Sequence, residues 1–483
     1  MKKFICLCLA LGLLLALASC AADAAPTQPT TTAATTADGQ PILRVGFAQE
    51  NITPSDPVPM AADGDTEDAM NTGIIDYLFA TCVYFVDAQG TELYLIAFDL
   101  CNMYDPLPEY RLALAKKLGV AEAQVMLSAS HTHSAVALRA TQVPSVLRYI
   151  DSLKKQLETV ARKAKDDAKA ATGMYHSAIE TSGLNFVRRY IMNDGSYAGD
   201  NYGNHSLGYA AHESEGDRQL QLLKFTREGG KDIILTNFQT HPHRTAYDTD
   251  DNRDLSSDIV GVYRQALEQQ LDCHALYYTG ASGNVNPTSR MVEENVFKDH
   301  RTHGQAMAQF AVKAAEHFTP LQLGEIRLKK TVYVGQSYLS ENYKLEDAKI
   351  VAERYRSGMG KSASLEGYED LFEHPRHAIA IVSRAGWPAT REVNLYTFSI
   401  GQFTACYAPF ELFAELGVMI KEGSPFEATF VCCYSNDIFS YMPTKEAFEH
   451  GGYGPYKCNF EPGTGEILVD VFLTDMQTLY DAR

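Results

Sequence analysis

The chain has 483 residues, 45% of them hydrophobic and 21% charged, which is enough apolar surface for a large core and excludes a largely disordered protein. Asp and Glu (60) outnumber Lys and Arg (42), and the formal charge of -18 repels phosphate backbones, so no nucleic-acid partner is expected. The ten cysteines carry no message until those outside the folded body are set aside.

Lys2 and Lys3 precede an apolar run at 4–18, FICLCLALGLLLALA, which is short for a bilayer span and reads as an export signal. The run ends in Leu17-Ala18-Ser19-Cys20, similar to a bacterial lipobox whose cysteine receives acyl chains, each buried methylene contributing about 0.8 kcal/mol. Residues 1–20 are therefore expected to be signal and lipobox. Residues 21–40, AADAAPTQPTTTAATTADGQ, form an Ala/Thr/Pro tether, and 41–483 the folded body. The expected place is outside the cytoplasm, with acylated Cys20 in the bilayer: on the outer face of the bacterial cell membrane, or periplasmic or outer-membrane in a Gram-negative cell. Losing Lys2 and Lys3 takes the formal charge from -18 to -20. Cys6 and Cys8 leave with the signal. Cys82, Cys101, Cys273, Cys406, Cys432, Cys433 and Cys458 lie mostly in β-like apolar runs and read as buried small hydrophobes rather than a disulfide framework.

From Pro41 onward no repeat or second low-complexity break interrupts the chain, and the longest weakly structured stretch runs from Ser357 to Pro375. Apolar runs at 93–101, 125–130, 220–225, 233–239, 275–280, 395–401, 403–408 and 429–435 predict buried strands. Helical periodicity falls at 107–117, 145–171, 256–270, 299–317, 410–421 and 466–481,. The Glu-Gly-Gly-Lys turn at 228–231 predicts a hairpin. The expected fold is α/β, with mixed β-sheets and flanking helices in a single large catalytic domain.

The strand VMLSAS runs into His131-Thr132-His133-Ser134, and IILTNFQ runs into Thr240-His241-Pro242-His243. Each delivers imidazoles at its C-terminal end, the edge where α/β proteins usually build ligand sites. Residues at i and i+2 of extended backbone share a side, so each pair is able to present imidazole, the commonest zinc ligand, to one centre. Two further strands lead into Pro409-Phe410-Glu411 and into Asn436-Asp437 followed by Tyr441. Alone, Glu411 reads as an acidic residue favoured at a helix N-terminus, and Tyr441 is one of 27 tyrosines. No HExxH, CxxC pair or phosphate-binding glycine loop competes.

In order, these motifs resemble the neutral/alkaline non-lysosomal ceramidases, zinc-dependent amidases, over their N-terminal catalytic domain. Gly46-Phe47-Ala48 with Asn51-Ile52-Thr53-Pro54 is similar to that family's opening G-x-A-x-x-D-I-T-P, and Phe98-Asp99-Leu100-Cys101 to its D-L-C strand. Ser130–Ser134, Thr240-His241-Pro242 and Gly283-Asn284-Val285-Asn286-Pro287 resemble T-H-T-H-S, H-P and G-D-V-S/N-P, while Pro409-Phe410-Glu411 and Tyr441–Glu446 resemble the later P-G-E/F-E and Y-x-x-T-x-E segments. The resemblance implies one zinc ion held by His131, His241, Glu411 and Tyr441. It implies His133 as the imidazole facing substrate and Arg188, in preference to Arg189, as the polarising arginine. Amide hydrolysis of an N-acyl, lipid-like small molecule by zinc-activated water would follow, with Asn286 and the Gly283 turn adding hydrogen bonds to substrate.

Three departures qualify the carry-over. Asn286 stands where the family has a catalytically implicated Ser, and Asn284 where it has Asp; Ser282 is then a displaced nucleophile or, as preferred, a turn former. Ala135-Val136-Ala137 replaces a glycine-rich continuation. The residues after Gly451-Gly452-Tyr453 leave no room for the family's C-terminal immunoglobulin-like domain. An esterase or non-ceramide amidase on the same metal site, or a non-catalytic surface lipoprotein that binds lipid or glycan, stays open. A deep apolar tunnel beside His131 would favour lipid.

Overall fold

Alternation along each strand decides how the elements stack. In Phe79–Asp87, Val83 and Phe85 join one buried cluster while Cys82 and Tyr84 join another. In Gln219–Arg227, Leu223 and Phe225 separate in the same way from Leu220 and Leu222. Such strands have two buried faces, as expected of a sheet covered on both sides. The computed structural model describes residues 35–36, 39, 41–61, 70–200, 202–247, 253–291 and 297–483. The expected export signal, Cys20 and most of the expected tether lie outside the described residues.

Nine strands form the larger sheet. Its order is His274–Thr279, Gly230–Phe238, Gln219–Arg227, Lys169–Glu180, Leu43–Asn51, Phe79–Asp87, Glu92–Phe98 and Val125–Ala129, with Thr319–Leu321 beside Lys169–Glu180. Four strands form the second sheet, in the order Ile326–Gln336, Thr390–Ile400, Phe403–Tyr407 and Ala428–Cys432. The sheets face each other across one apolar core in which Phe85, Phe225 and Leu276 meet Phe398, Phe403 and Phe430; each such side chain contributes about 1.5–3 kcal/mol on burial. Helices Pro144–Asp166, Asp258–Leu271 and His300–Ala315 cover the outer face of the larger sheet, and Ala414–Gly423 with Thr464–Asp481 cover the smaller one. The result is an α/β/β/α sandwich, the mixed sheets with flanking helices that the sequence predicts.

Three local expectations change. The helix expected to run to 171 stops at Asp166, and the strand Lys169–Glu180 begins. No breaker marks this point; the turn is fixed by Asp167, whose carboxylate accepts from the Phe47 amide at 3.1 Å and from Arg227 and Lys169 at 2.5 Å. The segment expected to be helical from 410 starts its helix at Ala414, leaving Glu411 in a two-residue strand. The stretch 357–375 contains the helix Lys361–Leu365. All seven cysteines of the described residues are buried free thiols.

Three parallel pairs within the two sheets set the site. Gly230–Phe238 lies parallel to His274–Thr279, Glu92–Phe98 to Val125–Ala129, and Phe403–Tyr407 to Ala428–Cys432. Their C-terminal ends emerge at one edge, stitched across the two sheets by Cys433 N to Thr279 O (3.0 Å) and Ala129 N to Tyr434 O (3.1 Å).

Candidate active site and metal centre

At that shared edge the chain leaves regular structure and places its polar residues. His131 takes φ 69°, in the left-handed region, and Tyr434, Asn436 and Ser440 do likewise at 54°, 65° and 68°. Four non-glycine residues in this conformation around one cleft is the clustering that functional sites show. His131 and His133 therefore converge through a turn rather than through extended backbone, and their Nε2 atoms lie 3.3 Å apart.

Each central imidazole has its tautomer fixed by a carbonyl that only accepts. His131 Nδ1 donates to Cys101 O at 2.6 Å and His241 Nδ1 to Val285 O at 2.9 Å. Both Nε2 lone pairs are thereby directed at Glu411, whose Oε2 lies 3.6 Å from His131 Nε2 and 3.4 Å from His241 Nε2. Nδ1 anchored on a backbone carbonyl with Nε2 free is the usual preparation of a metal-ligating histidine. Glu411 is held by Ser440 O, which accepts from its amide at 3.0 Å, and by in-register parallel pairing of Glu411–Leu412 with Tyr441–Met442. Tyr434 stacks on the back of the His131 ring, 3.9 Å between centroids and 16° from parallel, and its hydroxyl bonds Ser282 at 2.8 Å.

The donor set fits a cation. His131, His241 and Glu411 each offer a ligand atom, all within 4.8 Å of one another. Among the described residues, His241 Nε2 and Glu411 Oε2 are buried without a hydrogen-bond partner, an arrangement too costly to keep unless something else satisfies those atoms. Burial drives the pKa values of His131 and His241 well below the ordinary imidazole range, so both are neutral at physiological pH, the state a metal needs. Cys101 with His131 and His133 forms a second, overlapping group.

Tyr441 lies beside Glu411 and its hydroxyl accepts from Arg188 Nη2 at 3.0 Å. Burial and the Glu411 carboxylate push its phenol pKa well up, against the opposing pull of Arg188. Arg188 Nη2 also donates to Gly283 O at 2.7 Å. Arg189 points elsewhere, ion-paired to Glu213 and bonded to Gly451 O at 2.8 Å, so Arg188 alone of the two reaches the site. Burial holds His133 down to about 4, with Glu411 opposing and Arg188 adding to the shift.

Asn286 sits behind the cavity wall rather than on it. Its Oδ1 accepts from Arg188 Nη1 at 3.3 Å and His243 Nε2 at 3.0 Å, and its Nδ2 donates to Asp200. Both ends of the amide are engaged, so Asn286 positions Arg188 and His243 instead of reaching substrate as the sequence suggested. Asn284 is likewise structural, accepting from Ala414 N at 2.8 Å and donating to Glu415 at 2.9 Å. Ser282 is completely buried against Tyr434, the turn-forming role preferred for it.

His131, His133, Arg188, Glu411 and Tyr441 line a cavity of about 590 Å³. Sequence reasoning missed Tyr104, Arg139, Tyr355, Arg376, Tyr453 and Lys457 on its walls; they come from segments far apart in the chain, with no shared spacing to betray them.

The search against protein-family models finds no match, and no curated protein sequence matches. Solved structures do. The neutral ceramidase of Pseudomonas aeruginosa superposes with a TM-score of 0.66 at 19% identity, over 90% of this chain and 74% of that one. The fold is that of the neutral ceramidases. A ceramidase complexed with C2 gives a TM-score of 0.65 at 19% identity with the same coverage. The neutral-ceramidase fold thus extends over 90% of the chain, and within it the structure brings His131, His241 and Glu411 together.

Proposed function

We propose that the chain is a metal-dependent hydrolase of ceramidase type, cleaving the amide bond of an N-acyl small molecule outside the cytoplasm while anchored through acylated Cys20. The observation that carries this reading is the buried meeting of two tautomer-locked imidazoles and a carboxylate, in which His241 Nε2 and Glu411 Oε2 have no hydrogen-bond partner among the described residues. The ceramidase fold, and a ceramidase complexed with C2 among the structures that share it, support the substrate class.

His131, His241, Glu411 and Tyr441 would hold zinc, which when bound polarises a carbonyl and brings the pKa of water from about 15.7 down toward 7. The protein's own groups do the rest. Neutral His133 takes a proton from the attacking water as its oxygen bonds the carbonyl carbon. The Arg188 guanidinium, held by Gly283 O, Asn286 and Tyr441, donates to the developing oxyanion, an effect worth about 3 kcal/mol per donor. His133 then returns its proton to the amine nitrogen as the C–N bond breaks, leaving a carboxylic acid and an amine.

Metal analysis of purified protein and turnover of an N-acyl panel test this together. One zinc per chain is expected, with activity lost on chelation, restored by zinc and lost in His131→Ala. Protein that carries no metal, or that cleaves amides equally after chelation, overturns the proposal.

A further inference from the structure

The charge of the cavity points past the general reading to a substrate class. Among its described lining residues are four cations, Arg139, Arg188, Arg376 and Lys457, against one carboxylate, Glu411. Glu411 belongs to the metal group at the floor, so a bound divalent ion there adds to the positive sign. Pockets for apolar ligands are lined mainly by hydrophobic and aromatic side chains with few polar groups; here the aliphatic lining is sparse, Ala61, Ile379 and Ile438, and Tyr104, Tyr355, Tyr441 and Tyr453 each bring a hydroxyl with their ring.

Lys457 closes the helix Tyr453–Lys457 and is only half exposed. No carboxylate among the described residues forms an ion pair with it. Burial and the neighbouring charge of Arg376, with further contributions from Arg139 and Arg384, lower its pKa, and Glu411 only partly opposes them. Arg376, near the start of the helix Pro375–Arg384, is exposed and bonded to Tyr355. Arg139 stacks on Tyr104 with 4.5 Å between guanidinium and ring centre. Of the nearby carboxylates, Glu373 accepts from Gly452 N at 2.9 Å, Glu341 is committed to His377, Lys344 and Arg384, and Glu213 to Arg189 and His450. Crowding like charges around a half-buried lysine costs stability unless an anion is taken up there.

We infer that this cavity takes N-acyl compounds that carry an anionic group, an amino-acid-type carboxylate or a sulfonate, which Lys457 and Arg376 bind at the mouth while the amide lies over His133 and Arg188. The inference rests on the proposed hydrolase reading for its reaction, but anion recognition is separately measurable. Lys supplies a compact point charge and Arg a planar fork of donors, and charge-assisted hydrogen bonds of this kind are about twice as strong as neutral ones.

The test uses detergent-solubilised, zinc-loaded full chain and three amides of one acyl chain: N-dodecanoylglycine, N-dodecanoyltaurine and the neutral N-dodecanoylethanolamine. At least one anionic amide is expected to exceed the neutral one by about tenfold or more in kcat/KM, the ratio falling by about fivefold in Lys457→Met and in Arg376→Gln and largely surviving in Lys457→Arg. A glycine conjugate favoured over taurine assigns a carboxylate, and the reverse a sulfonate. Neutral amide cleaved as fast as both anionic ones, or a preference untouched by both variants, overturns the inference and leaves the hydrolase reading standing. If none of the three is cleaved, the hydrolase reading falls. Equilibrium binding then decides the inference: tighter binding of the anionic pair, weakened in Lys457→Met, sustains it, and equal binding of all three overturns it.

Discussion

Gly283 shows at single-residue scale how closely the metal group is packed. A Cβ at this position would lie 2.3 Å from the Glu411 carbonyl oxygen and 2.9 Å from that of Leu412. The Gly283 amide meanwhile donates to Leu412 O at 2.7 Å. The backbone that carries Glu411 therefore rests directly on the glycine, with no flexible side chain between to give way. Gly283→Ala is expected to push Glu411–Leu412 off the histidines, and displaced ligand supports typically cost about 10–100-fold in metal affinity. Zinc competition against a chromophoric chelator measures it; an unchanged dissociation constant would show that Glu411 is not a ligand. This glycine was legible in the sequence as part of the Gly283–Pro287 turn. Its reason, the approach of a segment nearly 130 residues away, was not.

The helical segment from 345 to 384 sits over the cleft and carries Tyr355 and Arg376, and one carboxylate ties its ends together. Glu341 precedes the helix Leu345–Arg356, yet accepts from His377 at 2.9 Å and lies 3.5 Å from Arg384, both on Pro375–Arg384. Burial alone would raise its pKa, but the bonds from His377 and Lys344 outweigh it and hold the carboxyl down to about 2. A folded pKa below the unfolded value near 4.5 gives stability that is fully present above the unfolded value and lost as pH falls toward the folded one. Glu341→Gln should therefore be less stable than the parent at pH 7 by about 2–3 kcal/mol, with the two urea midpoints drawing together between pH 4.5 and 2. A constant gap across that range would place the stabilisation in packing instead. Element order and type were widely readable here, because buried strands declare themselves by apolar runs and alternation. The site was half readable. The two histidines end strands and announce themselves, but Glu411 looked like a helix N-terminus because its two-residue strand exists only through pairing with Tyr441–Met442. Arg376 and Lys457 meet only by tertiary folding and left no pattern.

At the scale of the whole molecule, the acidic total and the basic cavity describe different surfaces. A formal charge of -18 gives the body no electrostatic attraction to anionic lipid, so any stable residence at a membrane must come from apolar insertion. A single acyl chain gives only marginal binding, whereas two or more together anchor stably, and Cys20 at the end of Leu17-Ala18-Ser19 is the position chemically suited to carry them. On this proposal the Ala/Thr/Pro stretch 21–40, which has few charges, would serve as the tether between anchor and body. Expressed in a bacterium fed an alkyne fatty acid, the parent chain should take up the label and partition into the detergent phase. Cys20→Ser should take up none and move to the aqueous phase, with zinc content unchanged, since the metal group lies wholly within the folded body. Detergent-phase partition that survives Cys20→Ser without label would mean that the apolar run 4–18 is retained as the anchor, and would sink lipidation as the means of attachment.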